Sequence, residues 1–324
     1  MRALNPPAPA PTVPWPALAE HALAAQEPLL PWPQLAVAEE LPAADPAGRL
    51  VLAAYHKTGY FFANDLLEAL EGTFPFQGFK EHNNVVFQWT DALQPDWAAH
   101  RAHLVVEPTA GWAAPAGARV VHFYRDPISL VLSAYRFHRR LAGLGWWAVR
   151  QELWLFRPAG CAFCGAASRA AIFGPCEYRC SFAELLMSVD EQTGVLLEAI
   201  RAWETVKHVL GNLLRWANDP AVLHLSVEHL WADFDGTVAC LLSFAGAPLQ
   251  GPLPERLRPL DPKVRRQNAG SALHITSGDY DNAALRALLE QRLPWAPQLA
   301  AARPAAAAVF RRQARTHGCP VPPE

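Results

Sequence analysis

Two short segments of the chain combine residue types that bind phosphate groups. The first is the polar loop His56-Lys57-Thr58-Gly59, which follows the apolar run 49–55 and precedes apolar residues at helical spacing. A strand, a tight loop and a helix in this order gather backbone N–H groups around an anion. Lys57 adds a positive charge, and Thr58 adds a hydroxyl donor. The loop therefore predicts a phosphate site, with an ordinary strand–helix turn as the alternative.

The loop differs from that of the nucleoside-triphosphatases. Their motif is Gly-x-x-x-x-Gly-Lys-[Ser/Thr], and its glycines let the backbone wrap around the phosphates. Counting back from Lys57, the two glycine positions hold Val51 and His56. The sequence therefore excludes this motif.

The second segment places an arginine at the end of a strand and a serine in the helix that follows. The run 120–124 is β-branched and aromatic, which favours a buried strand, and it stops at Arg125. Asp126 and Pro127 are typical of a helix start. Arg125 can contact a phosphate with two N–H groups, and Ser133, eight residues further on, can add a hydroxyl. The alternative is that Arg125 pairs with a carboxylate while Ser133 only packs.

Four of the six cysteines lie close together in the sequence. They are Cys161, Cys164, Cys176 and Cys180. The spacing is C-x2-C, a gap of 11 residues and then C-x3-C. It fits a structural zinc site with four thiolates, two disulfides in an oxidising compartment, or four unlinked thiols. Cys240, outside this cluster, is expected to pack on a helix face.

These groups can meet only if the elements around them form a parallel sheet. Apolar runs that end in polar loops alternate with stretches at helical spacing. This pattern predicts an α/β fold, a P-loop-like arrangement of three layers with a mostly parallel central sheet flanked by helices. The strand candidates are 49–55, 85–89, 102–106, 120–124 and 222–226. In such a sheet, a ligand site lies at the carboxyl ends of the strands.

Composition divides the chain into three parts. Residues 1–48 hold eleven of the 30 prolines, so we expect a flexible N-terminal arm there. Residues 49–300 are expected to form the α/β domain, with an insertion rich in Cys and Trp at 141–180. Residues 301–324 are expected to be a C-terminal tail.

The overall charge is close to neutral, with 28 Lys and Arg against 30 Asp and Glu. This balance argues against a general nucleic-acid binder. No apolar run approaches the ~18 residues of a membrane span, and the first residues lack an apolar segment of signal-peptide length. We therefore expect a soluble, cytoplasmic protein, whose oligomeric state the sequence does not indicate.

The two phosphate-binding segments resemble the donor site of the sulfotransferases that use 3′-phosphoadenosine-5′-phosphosulfate (PAPS). The segment 120–135 is similar to the family's 3′-phosphate segment, in which a strand ends in an Arg and a Ser lies eight positions beyond it. Lys57, Thr58 and Gly59 match the family's 5′-phosphosulfate loop, Pro-Lys-Ser-Gly-Thr-Thr-Trp.

Two further segments support this resemblance. Arg101-Ala102-His103-Leu104 resembles the Lys-Thr-His-Leu segment of the cytosolic members, in which the His is the catalytic base. The segment 225–230, followed by Phe244-Ala245-Gly246, is similar to a strand–Glu–helix–Phe-Leu-Gly segment of the family. The four motifs occur in order over roughly residues 49–290.

Departures from the family pattern identify the chain as a divergent member. Tyr60 and Phe61 stand where the family has two threonines, and Phe62 stands where it has the Trp that stacks on adenine. Val227 replaces a Tyr, and no clean Arg-Lys-Gly segment is found near the C-terminus.

The resemblance implies transfer of a sulfuryl group from PAPS to a hydroxyl or amine of a small-molecule or carbohydrate acceptor. Lys57 would stabilise the leaving phosphate oxygen, and His103 would remove the acceptor proton. Glu107 is the alternative base, and His103 can also be a strand-end histidine bonded to a backbone carbonyl. The donor-binding residues that the resemblance implies are Lys57, Thr58, Gly59, Tyr60, Phe61, Phe62, Arg125 and Ser133.

Two other functions stay open. One is an atypical nucleotide-binding phosphotransferase, which the missing glycines and the lack of a clear acidic metal ligand at a strand end disfavour. The other is a sulfotransferase-like binding protein without catalysis, because Tyr60 and Phe61 would occlude the loop.

Overall fold

The computed structural model describes most of the chain in two compact units. The described residues are 19, 23, 26, 49–55, 57–70, 102–106, 108–109, 111–114, 116–143, 166–174, 182–267 and 283–320. The first unit comprises Met1–Leu30, Val131–Glu204 and Asp279–Pro297. The second unit comprises Pro31–Leu130, Thr205–Gly278 and Gln298–Glu324.

The second unit is built on a parallel sheet. Its described strands are β1 (Leu50–Ala54), β2 (Ala102–Val106), β3 (Arg119–Tyr124) and β4 (Val222–Ser226). They lie in the order β2-β1-β3-β4, and all three pairs are parallel. Every residue of β1, β3 and β4 is buried, which explains why these strands read as continuous apolar runs. The predicted α/β fold with a parallel central sheet is confirmed, and the strand candidate 85–89 lies outside the described residues.

Helices follow the strands, as the apolar spacing predicts. The described helices are α1 (Tyr60–Leu70), α2 (Pro127–Gly143), α3 (Ala166–Phe173), α4 (Phe182–Ser188), α5 (Glu191–Arg215), α6 (Val227–Ala232), α7 (Phe234–Phe244), α8 (Pro262–Gln267), α9 (Ala283–Arg292) and α10 (Ala296–His317). A 3-10 helix spans Glu255–Leu260. Within the described ranges, no helix has both the length and the apolar character of a membrane span.

The two faces of the sheet bury different sets of side chains, because side chains alternate along a strand. Leu50 and Leu52 of β1 belong to a large apolar cluster that includes residues of α1 and α7. Val51 of β1 and Val120 of β3 belong to a smaller cluster on the other face, which contains Trp216. Both faces of the sheet are therefore covered, as a parallel sheet requires.

Helix α7 ends on a buried arginine of the sheet. Arg119 donates from Nη1 to the carbonyl oxygen of Phe244 at 2.6 Å and from Nη2 to that of Ala245 at 2.7 Å. Gly246 then adopts a φ of +81°, which turns the chain away from the helix axis. A cation at this place satisfies the last carbonyl groups of the helix. The Phe-Ala-Gly segment thus has a structural role in this chain.

A side chain of α10 bonds to β4, the last strand in the described order. Gln313 accepts from the backbone N–H of His224 and donates to the carbonyl oxygen of Val222, both at 3.2 Å. We expected a tail from residue 301 onward, but the structure continues a helix across this position. Phe310 of the same helix packs against Tyr124 with ring centroids 5.7 Å apart.

The first unit contains a buried cluster of charged side chains. His138 Nδ1 lies 2.6 Å from Glu198 Oε2, and Arg201 Nη2 lies 2.6 Å from the other carboxylate oxygen. All three residues are almost fully buried. Because a buried carboxylate without a partner is costly, these two partners explain how Glu198 is tolerated here.

Three residues of the predicted N-terminal arm are packed in the first unit. Ala19 and Leu23 are buried, and Gln26 Oε1 accepts a hydrogen bond from Trp295 Nε1 at 3.0 Å. The other residues of 1–48 lie outside the described residues.

Candidate anion-binding site at the carboxyl edge of the sheet

Thr58 closes the polar turn that follows β1. Its hydroxyl accepts from the backbone N–H of Tyr55 at 2.8 Å and donates to the carbonyl oxygen of Tyr55 at 3.1 Å. The backbone N–H of Thr58 donates to the same carbonyl at 3.0 Å. Thr58 is fully buried. Its hydroxyl therefore holds the turn, whereas the resemblance implies that it contacts a bound phosphate.

Lys57 and Gly59 give this turn an uncommon backbone. Lys57 has a φ of +65° and Gly59 a φ of +100°. Side chains disfavour the left-handed region, so a lysine there is held by its surroundings at some cost in free energy. Such conformations cluster at functional sites. The turn therefore fixes the position from which the Lys57 side chain extends, next to the first turn of α1.

Gly59→Ala is expected to lower the free energy of unfolding by about 1–3 kcal/mol. A Cβ at this position would lie 3.2 Å from the ring of Phe123, and a φ of +100° strains any residue with a side chain. Urea unfolding of the variant measures the loss. Gly111→Ala is the matched control, because a Cβ there meets nothing within 4 Å. Equal stabilities of the two variants would contradict this account of the turn.

The three aromatic residues after the turn differ in burial. Phe62 is buried and packs edge-on against Phe123 at 5.9 Å and Phe234 at 6.1 Å between ring centroids. Phe61 is 40% exposed, and Tyr60 is partly exposed. The resemblance places adenine stacking on Phe62, but in this structure Phe62 belongs to the apolar core. Phe61 is the most exposed of the three aromatic side chains.

Arg125 links the carboxyl ends of three strands. It follows β3, is 7% exposed, and donates from Nη1 to the carbonyl oxygen of Lys57 at 3.0 Å. Its Nε lies 4.0 Å from Oε1 of Glu228, the second residue after β4. The structure thus brings Lys57 and Arg125 together at one edge of the sheet. The sequence left open whether Arg125 pairs with a carboxylate, and here it does.

Glu228 occupies an unusual electrostatic position. Its side chain is 37% exposed, yet the protein that surrounds it raises the pKa of the carboxyl group. Arg125 partly offsets this rise, and Asp126 adds to it. A raised pKa in a carboxylate beside a cation is a feature of binding and catalytic sites. In the sequence, Glu228 stands out only within the segment 225–230, because nothing local indicates its pairing with Arg125.

Asp126 starts helix α2, as predicted from its residue type. Its Oδ1 accepts from the backbone N–H of Ser129 at 3.0 Å, which is N-cap geometry. Its Oδ2 accepts from Nε of Arg303 in α10 at 3.3 Å. Ser133 is buried in α2, in the part of this helix that belongs to the first unit. Lys57 and Arg125 belong to the second unit.

His103 lies within β2 rather than at its carboxyl end. It is opposite Val51 in the register of β1 and is fully buried. Val51 precedes the end of β1 by three residues, or about 10 Å along the strand. The register therefore places the backbone of His103 before the carboxyl edge of the sheet, where the Lys57 turn follows β1. The alternative base, Glu107, lies outside the described residues.

The clustered cysteines also lie outside the described residues, so their state stays a prediction. They are Cys161, Cys164, Cys176 and Cys180. The structure instead joins Cys240 of α7 to Cys319 in a disulfide, with 5.0 Å between the Cα atoms. We expected Cys240 to be merely packed, and Cys319 carried no prediction. In the part of the chain that the structure describes, no three His, Cys, Asp or Glu side chains are grouped to hold a metal ion.

A buried network of hydrogen bonds starts at Tyr55, next to the turn, and the residue pattern did not predict it. Asn212 Nδ2 lies 2.8 Å from the Tyr55 hydroxyl, which lies 3.1 Å from His122 Nε2. His122 Nδ1 lies 2.8 Å from His224 Nδ1, and His224 Nε2 faces the carbonyl of Trp216 at 3.4 Å. One assignment satisfies these contacts. Asn212 donates to Tyr55, Tyr55 to His122, His122 to His224, and His224 to the carbonyl.

Burial keeps both histidines of this hydrogen-bond network, His122 and His224, in the neutral form. Burial lowers the pKa of His122 well below its usual range, and His224 lowers it further. Burial lowers the pKa of His224 to about 3. The signal that could have found them is a histidine in the middle of each of two apolar strands, where a buried polar group needs a partner.

Lys57, Arg125 and Glu228 thus meet where three parallel strands end, beside a turn whose backbone is held in an uncommon conformation. Comparison with models of protein families, with curated proteins and with solved structures found no match to this chain.

Proposed function

We propose that the protein is a sulfotransferase that moves a sulfuryl group from PAPS to a hydroxyl or amine of a small-molecule or carbohydrate acceptor. The observation that carries the proposal is the hydrogen bond from Arg125 to the carbonyl of Lys57. It joins the two segments that resemble the phosphate-binding segments of sulfotransferases. Both residues lie at the carboxyl edge, where parallel sheets bind ligands.

The chemistry requires charge neutralisation more than covalent participation by the protein. An acceptor oxygen or nitrogen bonds to sulfur while the bond from sulfur to the donor phosphate oxygen breaks, and the acceptor loses a proton. Lys57 would stabilise the negative charge that develops on the leaving oxygen. Arg125, fixed by its bond to the Lys57 carbonyl, would hold a donor phosphate with its remaining N–H groups.

The test is calorimetric titration of the folded protein with adenosine 3′,5′-bisphosphate, the product that PAPS leaves behind. Adenosine 5′-monophosphate, which lacks the 3′-phosphate, is the matched control ligand. The proposal expects binding of the bisphosphate and much weaker binding of the monophosphate. A screen of phenols, amines and glycans with PAPS then tests transfer. Failure of the folded protein to bind the bisphosphate would refute the proposal.

His103→Asn is expected to keep turnover within about threefold of wild type, because a base must reach within ~3 Å of the proton that it removes. His103 is fully buried, and its Cα lies opposite that of Val51, three residues before the end of β1. The measurement is the rate of sulfuryl transfer to an acceptor found in the screen, with bisphosphate affinity as the control. A loss of turnover with unchanged affinity would instead support His103 as the base, as the resemblance implies.

A binding protein without catalysis is the second candidate. It is favoured by Thr58, whose hydroxyl is used within the turn and is fully buried. Bisphosphate binding without transfer to any acceptor in the screen would establish this candidate.

A further inference from the structure

Arg125 lies between an uncharged oxygen group and a charged one. On one side, its Nη1 donates a hydrogen bond of 3.0 Å to the backbone carbonyl of Lys57, which carries no net charge. On the other side, its Nε faces the Glu228 carboxylate at 4.0 Å. This second distance is too long for a hydrogen bond, so the contact is an ion pair. The carboxylate is also partly exposed, and it can therefore move away from Arg125 without opening the core.

We infer that Glu228 is a displaceable counter-ion, which occupies Arg125 until an anion binds there and which takes up a proton as the anion displaces it. The inference rests on the proposed use of Arg125 as a phosphate ligand. It gives Glu228 a positioning role: the carboxylate keeps the guanidinium oriented before the ligand arrives, and it opposes the binding of anions.

The charges around Glu228 determine how it responds to an anion. Arg125 and Asp126, which follow β3, both interact electrostatically with Glu228. Burial raises the pKa of the hydroxyl group of Tyr124, the last residue of β3, and the charges of Asp126 and Glu228 raise it further. Arg303 of α10 is paired with Asp126 at 3.3 Å.

Two further ionisable groups of this region are His229 of α6 and Lys263 of α8. Burial lowers the pKa of His229 to about 4, so this ring is neutral near neutral pH. Lys263 of α8 donates to the carbonyl of Ala232 at the other end of the helix. Lys57 contacts Arg125 with its backbone carbonyl oxygen, which accepts a hydrogen bond from Arg125 Nη1.

The direction of the linkage follows from these charges. In the free protein, Arg125 favours the ionised form of Glu228, although burial already raises the pKa of its carboxyl group. A bound dianion shares Arg125 and repels the carboxylate, so the pKa of Glu228 is higher in the complex than in the free protein. Binding therefore takes up a proton between these two pKa values, and the affinity rises as the pH falls through that range.

The experiment measures proton uptake when adenosine 3′,5′-bisphosphate or inorganic sulfate binds. Each ligand is titrated calorimetrically in buffers of different ionisation enthalpy and at several pH values near neutrality. Sulfate keeps its charge in this range, so any proton uptake belongs to the protein. The variants are Glu228→Gln, which removes the charge, and Glu228→Asp, which keeps a carboxylate.

We expect wild type and Glu228→Asp to take up protons with both ligands. We expect Glu228→Gln to take up fewer and to bind about tenfold more tightly. Equal affinity and equal proton uptake in wild type and Glu228→Gln would overturn the inference. If Glu228→Gln does not fold, the wild-type titration with sulfate decides, since the absence of proton uptake there overturns the inference too. A merely structural role would change stability but would not move the pH dependence.

The sulfate titration separates this inference from the proposed function. If sulfate binds with proton uptake and the bisphosphate does not bind, the proposed function fails and the counter-ion stands. If neither ligand binds to the folded protein, both proposals fail.

Discussion

Arg125→Ala is expected to weaken the binding of adenosine 3′,5′-bisphosphate about 100-fold. Arg125 is buried, is fixed by the Lys57 carbonyl, and forms an ion pair with Glu228. Its removal takes away charge-assisted hydrogen bonds to the ligand and leaves Glu228 to repel it. Arg125→Lys keeps the charge but loses the planar donor geometry, so we expect an intermediate loss of about tenfold. Calorimetric titration at constant salt measures both losses.

The matched control is Arg258→Ala. Arg258 forms an ion pair with Asp235 at 2.5 Å, and both side chains are well exposed. This control should bind the bisphosphate as wild type does. Similar losses of bisphosphate affinity in the two alanine variants would mean that the affinity depends on the net charge of the protein rather than on Arg125. This result would remove the main support for the proposed site.

The second large effect concerns the disulfide between Cys240 and Cys319. Its two cysteines are 79 residues apart, and closing a loop of this length is expected to stabilise the fold by about 4 kcal/mol. The bond attaches the segment after α10 to α7, inside the large apolar cluster. A Cys240→Ala/Cys319→Ala double variant should therefore unfold at a clearly lower urea concentration than wild type.

Reductant provides the control for this measurement. Reducing wild type should lower its unfolding midpoint toward that of the double variant. Any further effect of reductant on the double variant reports on the other cysteines. If wild type unfolds at the same midpoint as the double variant without reductant, the bond does not contribute as expected. Peptide mapping without reduction shows directly whether Cys240 and Cys319 are joined.

The parallel sheet could be predicted because its strands are buried on both faces. Such strands read as short, continuous apolar runs, and the runs at 49–55, 102–106, 120–124 and 222–226 all overlap observed strands. The polar residues directly after such runs must then lie at the same edge of the sheet. The strand pattern therefore predicts that Lys57 and Arg125 lie at the same edge, whereas the pairing of β1 with β3 makes them neighbours.

The same reasoning could not show how individual side chains are used. The Thr58 hydroxyl bonds to the backbone three residues away, and Phe62 lies on the buried side of α1. His103 was placed by a motif match, but the register with β1 sets its depth in the sheet. These features depend on exact strand and helix boundaries, which a residue pattern fixes only to within a few positions.

Pairings across long stretches of chain were equally hidden. Glu228 follows Arg125 by about a hundred residues, and only the adjacency of β3 and β4 brings the two together. The disulfide likewise depends on where α10 ends relative to α7. Structural disulfides are typical of oxidising compartments, so this bond argues against the predicted cytoplasmic location. That location stays a prediction.

The side chain of Gln313 acts as a substitute for one residue of a further strand. Its amide meets a backbone N–H and a carbonyl of β4 that point away from β3, as the next strand of a parallel sheet would. Open edges of this kind recruit strands from other molecules and so promote aggregation. Helix α10 therefore protects the sheet from self-association, and a chain that loses this helix would be prone to form intermolecular β-structure.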